Sequence, residues 1–493
     1  MRVLVALCVV AACGSTTEAP RVDPPPPNAP PTNPTVATPE APPASPPEFP
    51  ESTRSLELTR TVGVRIEAGD GAKRIGTIAI DTRVAWSRTQ KAKGCKEPWI
   101  ELRPRGWICG DYVRPSKKLP FGREVPFLER GELVPGVYGK ITAPNSVTYV
   151  MEKPKKEKDN KRKRPGGPVT STRDVDTAKP EPKLPKLIEG KPVVGSMNVR
   201  QYDEIVVDGK PYWKVSQKDP EYVLAQAISK HRPSLYGGSR LGDDTGWGVP
   251  LAFVWPRVPS WQQAGTSYKA LGGGQVRMLP SRTPLPILET FADKNGKAIA
   301  YRVGAEEWIA AADVRVFNAA PPPALLLPNE RWIDVDLESQ ILVAFEGNVA
   351  VYSTMVSTGG KETPTLPGTY RMWLKESEAD MKGLNGEDPY SVATVPWTQF
   401  FSPENDLALH TAYWHDQFGV KRSHGCVNLA PRDARWLYFW SDPQVPPGWT
   451  MAAGVVEAPG SIVRVRTKDE PNPPLREYAL KVNEVRLQNA PVR

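Results

Sequence analysis

Three of the chain's four histidines and one of its five cysteines fall within seventeen residues, His410 to Cys426. The segment begins His410-Thr411-Ala412-Tyr413-Trp414-His415-Asp416 and closes on Ser423-His424-Gly425-Cys426-Val427-Asn428. A thiol beside imidazoles is the raw material of a nucleophile, because the ring can take the thiol proton and hold the resulting charge. In that reading His410, on an apolar strand with Leu407 and Leu409, is the fixed base. Cys426 attacks a carbonyl and carries the acyl group as a thioester. The glycine lets the backbone approach a ligand closely, and an N–H array there would stabilise an oxyanion. Spacing alone leaves open which histidine is the base. Two other readings compete. A zinc site would use His410, His415, His424 and Cys426, whose donor types suit the metal. Their spacings match no HExxH or CxxC pair, and a strand would bring 424 and 426 to one face without 410 and 415. A buried structural cysteine beside packed histidines is the third reading, and the Ser-His-Gly-Cys turn argues against it.

The block that must position this cluster starts near residue 330. Residues 332–337 alternate, and 341–345 and 349–355 are apolar runs around Glu346-Gly347-Asn348, a hairpin pattern. Next come Gly359-Gly360-Lys361-Glu362-Thr363-Pro364-Thr365 and Pro367-Gly368-Thr369-Tyr370. Residues 371–402 turn from polar to aromatic (Tyr390, Trp397, Phe400, Phe401), as a lid or groove wall would. After Cys426, Pro431 starts a helix through Trp440, since proline at the first helical position loses no hydrogen bond.

Upstream, the 493-residue length allows two to four domains. Fifteen tryptophans, with many Gly and Pro, favour short strands over long helices. Residues 58–116 read as alternating strands ending in Gly106-Trp107-Ile108-Cys109-Gly110-Asp111-Tyr112-Val113. That ending resembles the closing strand of bacterial Src-homology-3-like barrels. A second such ending, Glu307-Trp308-Ile309 through Asp313-Val314, suggests a related barrel at 261–318. Between them, 117–260 is a β-rich module with a hairpin at Asp208-Gly209 and a disordered basic and Pro-rich insert near 150–190. Residues 221–230 read as a short helix, and the lone His231 after it as a surface or capping residue.

The net charge of +9 would suggest an anionic partner. Residues 152–164 alone hold eight Lys/Arg against three Asp/Glu, so a solvated loop supplies most of the excess. Nothing points to nucleic-acid reading. At the N-terminus, Arg2 precedes an apolar run ending Val10-Ala11-Ala12-Cys13-Gly14. This resembles a bacterial lipoprotein signal (1–13), with Cys13 lipidated and a membrane reached through that anchor; the run is too short to span a bilayer. Residues 14–57, with fourteen prolines between Pro20 and Pro50, read as a disordered tether that provides reach. Export makes a Cys95–Cys109 disulfide expected, which leaves Cys426 as the free thiol of the mature chain. Residues 466–493 read as a C-terminal tail.

The cluster and its surroundings resemble one family, the bacterial L,D-transpeptidases with a YkuD-type catalytic domain. The family signature is a His, a variable gap, then Ser/Thr-His-Gly-Cys, a hydrophobic residue and Asn or Arg. Here these are His410 and Ser423-His424-Gly425-Cys426-Val427-Asn428. The Gly360-to-Tyr370 stretch, the Tyr413-Trp414-His415-Asp416 run and the helix bearing Asp433, Ala434, Trp436 and Leu437 extend the resemblance over 330–465. It implies a mainly β catalytic domain with short helices that acts on peptidoglycan stem peptides. By that resemblance Cys426 is the nucleophile and His410 the general base, oriented by the backbone carbonyl of Thr411. His424 and Gly425 build the oxyanion pocket, and Tyr413, Trp414, Ser423 and Asn428 contact the substrate or hold the turn. The gap of twelve residues between His410 and Ser423 is short for the family. Ala430 stands where relatives often have a capping Ser, at a cost of about 1 kcal/mol of helix stability.

The expected protein is thus an envelope enzyme, periplasm-facing, lipid-anchored and monomeric, that joins stem peptides or attaches a protein to peptidoglycan. Both reacting groups are side chains, so no metal or other cofactor is expected. The same nucleophile with water as acceptor would make an L,D-carboxypeptidase. A non-catalytic wall-binding lipoprotein is the alternative from another class.

Overall fold

The structure is a computed structural model that describes residues 49–152, 186–242, 246–256, 264–269, 273–324, 326–383 and 389–488. The expected signal with Cys13, most of the Pro-rich segment and most of the basic run lie outside the described residues.

The fold is mainly β, with two α-helices among the described residues, Pro431–Trp440 and Tyr478–Gln488. In the 330–465 block, a six-stranded sheet centres on Arg331–Asp336, Ile341–Glu346 and Val349–Met355. The last two strands form the expected hairpin, with Glu346 opposite Val349. Ile462–Arg466 lies parallel to Arg331–Asp336 and closes the block on itself. The second sheet holds His410. Leu374–Gly383 and Tyr390–Ser402 form a long antiparallel pair, Leu407–Thr411 pairs with the latter, and Val427–Leu429 lies parallel to Leu407–Thr411. One apolar core runs between the sheets and the first helix through Ile333, Leu342, Phe401, Leu409, Val427 and Leu437.

The Pro431–Trp440 helix starts at its proline as expected, and its N-cap Ala430 makes no side-chain bond. Asp433 offsets that loss. Fully buried, it accepts hydrogen bonds from Tyr352 Oη (2.7 Å) and Gly238 N (2.7 Å), and from Thr354 Oγ1, tying the helix start to the six-stranded sheet. At the other end the buried Lys375 Nζ donates to the Tyr438 carbonyl (2.8 Å) and to that of Ser441, giving partners to carbonyls that end the helix.

That second sheet does not stop at residue 330. Ser196–Gln201 lies parallel to Tyr390–Ser402, Val137–Ile141 pairs with Ser196–Gln201, and Ile228–Lys230 pairs with Val137–Ile141. On the far side, Trp449–Ala453 pairs with Leu374–Gly383 and also with Arg74–Ile78 from the first module. The result is one 15-stranded sheet.

Several elements differ from expectation. Residues 221–230 are not a helix: Glu221–Leu224 is a strand, Ala225–Ala227 a 3-10 turn and Ile228–Lys230 a strand. The same sequence of elements occurs at Trp107–Cys109, Gly110–Tyr112 and Val113–Ser116, and at Trp308–Ala310, Ala311–Asp313 and Val314–Phe317. The apolar residues here sit at strand spacing around one tight turn, which a short helical window mimics. Ser55–Leu58 is already a strand, so order begins inside the segment read as tether. Leu251–Val254 pairs with Val314–Phe317, so the second small module begins ahead of 261. The tail holds the Tyr478–Gln488 helix, which buries Ala479 and Val482 and reaches Glu330 through Arg486 at 3.3 Å. With two buried positions its apolar stripe is too narrow to show in the sequence.

Candidate active site

Cys426 sits at the end of a turn built by its neighbours. Ser423 Oγ accepts the Gly425 N–H at 3.2 Å and donates to the Cys426 carbonyl. The Ser423 carbonyl accepts from Gly360 N (2.8 Å) and Thr363 Oγ1 (3.1 Å), and the Gly425 carbonyl from Thr365 Oγ1 (2.6 Å). Thr365 Oγ1 in turn accepts the Gly359 N–H at 2.8 Å. The Gly-rich stretch read from the sequence is therefore the clamp on the cysteine turn. Gly425 has φ +117°, which side-chain-bearing residues rarely adopt, and a Cβ there would lie 3.0 Å from Leu407 Cδ2. Its N–H is bonded to Ser423 Oγ, so Gly425 shapes the turn that holds the cysteine.

His410 lies on the neighbouring parallel strand, opposite Asn428. It is buried, and its Nδ1 sits 2.9 Å from the Thr411 carbonyl oxygen. A carbonyl only accepts, so Nδ1 carries the proton and Nε2 keeps its lone pair for another task. Burial pushes the His410 imidazole down to about 4, against a smaller opposing effect of the Thr411 bond. The Cys426 thiol is pushed up to about 11, by burial first, with a bond from the Ala408 backbone lowering it and the Asp406 carboxylate raising it. At neutral pH both partners are therefore uncharged at rest.

One cavity of about 250 Å³ receives His410, Trp414, Ser423, His424, Cys426 and Asn428. Trp414 lies over His410, ring centroids 5.8 Å apart, and exposed His424 stacks on Tyr390 at 4.4 Å. Tyr413 does not reach the cavity. It is fully buried behind it, donating to the Ala393 carbonyl at 2.9 Å and packing on Tyr138 at 4.1 Å. It therefore supports the wall and does not touch a substrate, a correction to its expected role. Thr411 is buried, and its carbonyl is what the site uses. Cys95 and Cys109 are joined in a disulfide in the first module.

Two histidines outside the expected set matter. His415 Nδ1 accepts the Gln417 N–H at 3.1 Å, and its Nε2 lies 3.1 Å from Asn428 Nδ2, while Asn428 Oδ1 is buried without a partner. With Nδ1 accepting, the neutral ring carries its proton on Nε2, so two donors would meet. Turning the amide over lets Nε2–H donate to Oδ1 and satisfies both groups. His231, read as a surface residue, lines the cavity, as do Lys140, Ser196 and Asn198 from the preceding module and Arg422 beside the cysteine turn. No local motif marks them, because strand pairing across long stretches of sequence brings them in.

Residues 330–465 match the sequence model of the YkuD family, the L,D-transpeptidase catalytic domain. These residues are a YkuD-type L,D-transpeptidase catalytic domain. The transpeptidase match extends to the Bacillus subtilis protein YciB, named as a candidate L,D-transpeptidase, at 27% identity over 119 residues, covering 22% of this chain and 59% of that protein. The chain thus spans under two thirds of that relative. Among solved structures, the catalytic domain of an Enterococcus faecium L,D-transpeptidase aligns at 27% identity with 28% of this chain and 98% of its own, TM-score 0.22. An L,D-transpeptidase from Mycobacterium smegmatis aligns at 16% identity with 48% of this chain and 89% of its own, TM-score 0.23. The upstream modules lie outside the transpeptidase match.

Proposed function

We propose that this protein is an envelope L,D-transpeptidase whose Cys426 carries a stem-peptide acyl group as a thioester. The observation that carries the reading is that Cys426 and His410 line one cavity while His410 Nδ1 is committed to the Thr411 carbonyl. Nε2 is then the available base. Because thiol and imidazole are both neutral at rest, the proton leaves sulfur as the S–C bond forms. His410 returns that proton to the departing D-alanine amine as the C–N bond of the tetrahedral intermediate breaks. An acceptor amine, from a second stem or a protein lysine, then attacks the thioester, gives its proton to His410 and regenerates the thiol. Both half-reactions use the same base, and neither needs a redox partner. Trp414 shields His410 from water, which favours an amine over hydrolysis.

The N-terminal sequence supports envelope placement through a lipid on Cys13, with the Pro-rich stretch as spacer. Among the described residues no helix is long and apolar enough to cross a membrane.

Mass spectrometry of the full chain incubated with a D-alanine-terminated stem tetrapeptide tests the reading. A mass increase of one tripeptide acyl group on Cys426, absent from Cys426→Ala, is expected, followed by cross-linked dimer when a second stem is added. Cross-linking at an undiminished rate by Cys426→Ala would overturn it.

A further inference from the structure

One wall of the Cys426 cavity comes from outside the transpeptidase domain. Asn198 lies opposite Lys140 in the antiparallel pair of Ser196–Gln201 with Val137–Ile141. Ser196 and Asn198 lie beside Tyr390 and Val392 in the parallel pair with Tyr390–Ser402. Side chains alternate faces along a strand, so this register sets all five on one face, and all five line the cavity. His231 follows the next strand, and its Nε2 lies 2.8 Å from Asn198 Oδ1. Burial, then the Lys140 charge, pushes His231 down to about 4. The neutral ring donates to Oδ1 and turns the Asn198 NH2 group the other way.

The charge of this wall is one-sided. The lining contains two cations, Lys140 and Arg422, and no carboxylate, although the Asp406 carboxylate acts on Cys426 and Tyr390 from outside it. The Arg422 guanidinium is held by Gln417 Oε1. Among the described residues Lys140 has no carboxylate partner. A concave wall bearing one sign of charge concentrates its field on whatever enters.

We propose that Lys140 and Asn198 form a subsite for the terminal carboxylate of the donor peptide. The assignment rests on the transpeptidase reading. A thiol that attacks the carbonyl one residue before the C-terminus leaves the terminal carboxylate one residue away, and consecutive Cα atoms are about 3.8 Å apart. That carboxylate therefore lies in the same cavity as the sulfur. A peptide that is amidated, or that continues past this residue, offers Lys140 no charge there. The upstream module thus selects donors that end one residue after the attacked bond.

Titration calorimetry on the full chain carrying Cys426→Ala, which binds without being acylated, tests this with a D-alanine-terminated stem tetrapeptide and its C-terminal amide. The acid is expected to bind about ten- to a hundredfold more tightly than the amide, the range of a charge-assisted hydrogen bond. Adding Lys140→Gln should abolish that preference and leave amide binding unchanged, and Lys140→Arg should restore most of it. Lys140 is exposed, so the thermal midpoint should stay put in both variants. Equal binding of acid and amide by the parent, no binding of either, or a preference that survives Lys140→Gln overturns the subsite. Acylation of the wild-type chain is scored separately: a Lys140-dependent preference without acylation would leave the carboxylate site standing and remove the transpeptidase reading.

Discussion

His410 and Asn428 are register partners on two neighbouring parallel strands, and Cys426 is the second residue before Asn428. One strand pairing therefore sets His410 against the turn that carries Cys426. Asn428 also exchanges backbone hydrogen bonds with Ser357, N to O at 2.9 Å and O to N at 3.0 Å, which fixes the register from the other side. A one-residue slip would turn either side chain to the opposite face.

The raised thiol has a direct consequence. With Cys426 pushed up to about 11, the thiolate is a trace species near neutrality, and its share grows about tenfold for each pH unit. Alkylation of Cys426 by iodoacetamide should accordingly accelerate about tenfold per unit from pH 7 to 10. A rate that levels off near pH 7 would show a preformed thiolate and contradict the neutral resting pair.

Gly425→Ala should lose activity more than stability. The new methyl meets Leu407 and must accept φ +117°, a strain of about 1–3 kcal/mol. The relief is a shifted turn that moves the adjacent sulfur, so acylation should fall by about a hundredfold. Acylation within twofold of wild type would show that the turn tolerates a side chain.

His415 should make folding pH-dependent. Burial, helped by the Arg422 and His410 charges, holds it at about 3 in the folded chain, against about 6.5 when unfolded. A depressed folded value means that the unfolded chain takes up the proton first. Its contribution is full above pH 6.5 and is lost as pH falls from there toward 3, at about 1.4 kcal/mol per unit. Asp433, raised to about 6 by burial, works in the opposite sense, so the comparison is made between variants. The fall in urea midpoint from pH 7 to pH 5 should be smaller for His415→Gln than for wild type. Equal pH slopes would refute the assignment.

Replacing both disulfide cysteines should cost stability without silencing the site. The Cys95–Cys109 bond closes fourteen residues of sequence, worth about 3 kcal/mol in the chain-entropy account. The Cys95→Ser/Cys109→Ser chain should melt several degrees lower and still be acylated at Cys426. Lost acylation in chain that remains folded would mean that the first module governs the cavity directly.

What the sequence made legible was local. The Ser423-to-Asn428 turn, the hairpin around Gly347, the Asp208-Gly209 hairpin and the Pro431 helix start each announce themselves within a few residues. The cavity wall does not. Lys140, Asn198 and His231 reach Cys426 only through the pairing of Ser196–Gln201 with Tyr390–Ser402, and period-2 patterning says which face a strand buries but not which strand lies beside it. The same limit hid the Leu251–Val254 strand, whose partner begins sixty residues later at Val314. Tyr413 departs from the role that the resemblance implied: in the fold the Trp414 ring faces the cavity and the Tyr413 ring backs it.

The sheet that runs through the family boundary makes that boundary a poor place for scissors. Excising 330–465 would strip Tyr390–Ser402 and Trp449–Ala453 of their neighbours from Ser196–Gln201 and Arg74–Ile78, leaving two raw borders open to self-association. The upstream segments are thus part of the cavity's frame rather than accessories, and replacing them would replace part of the pocket as well.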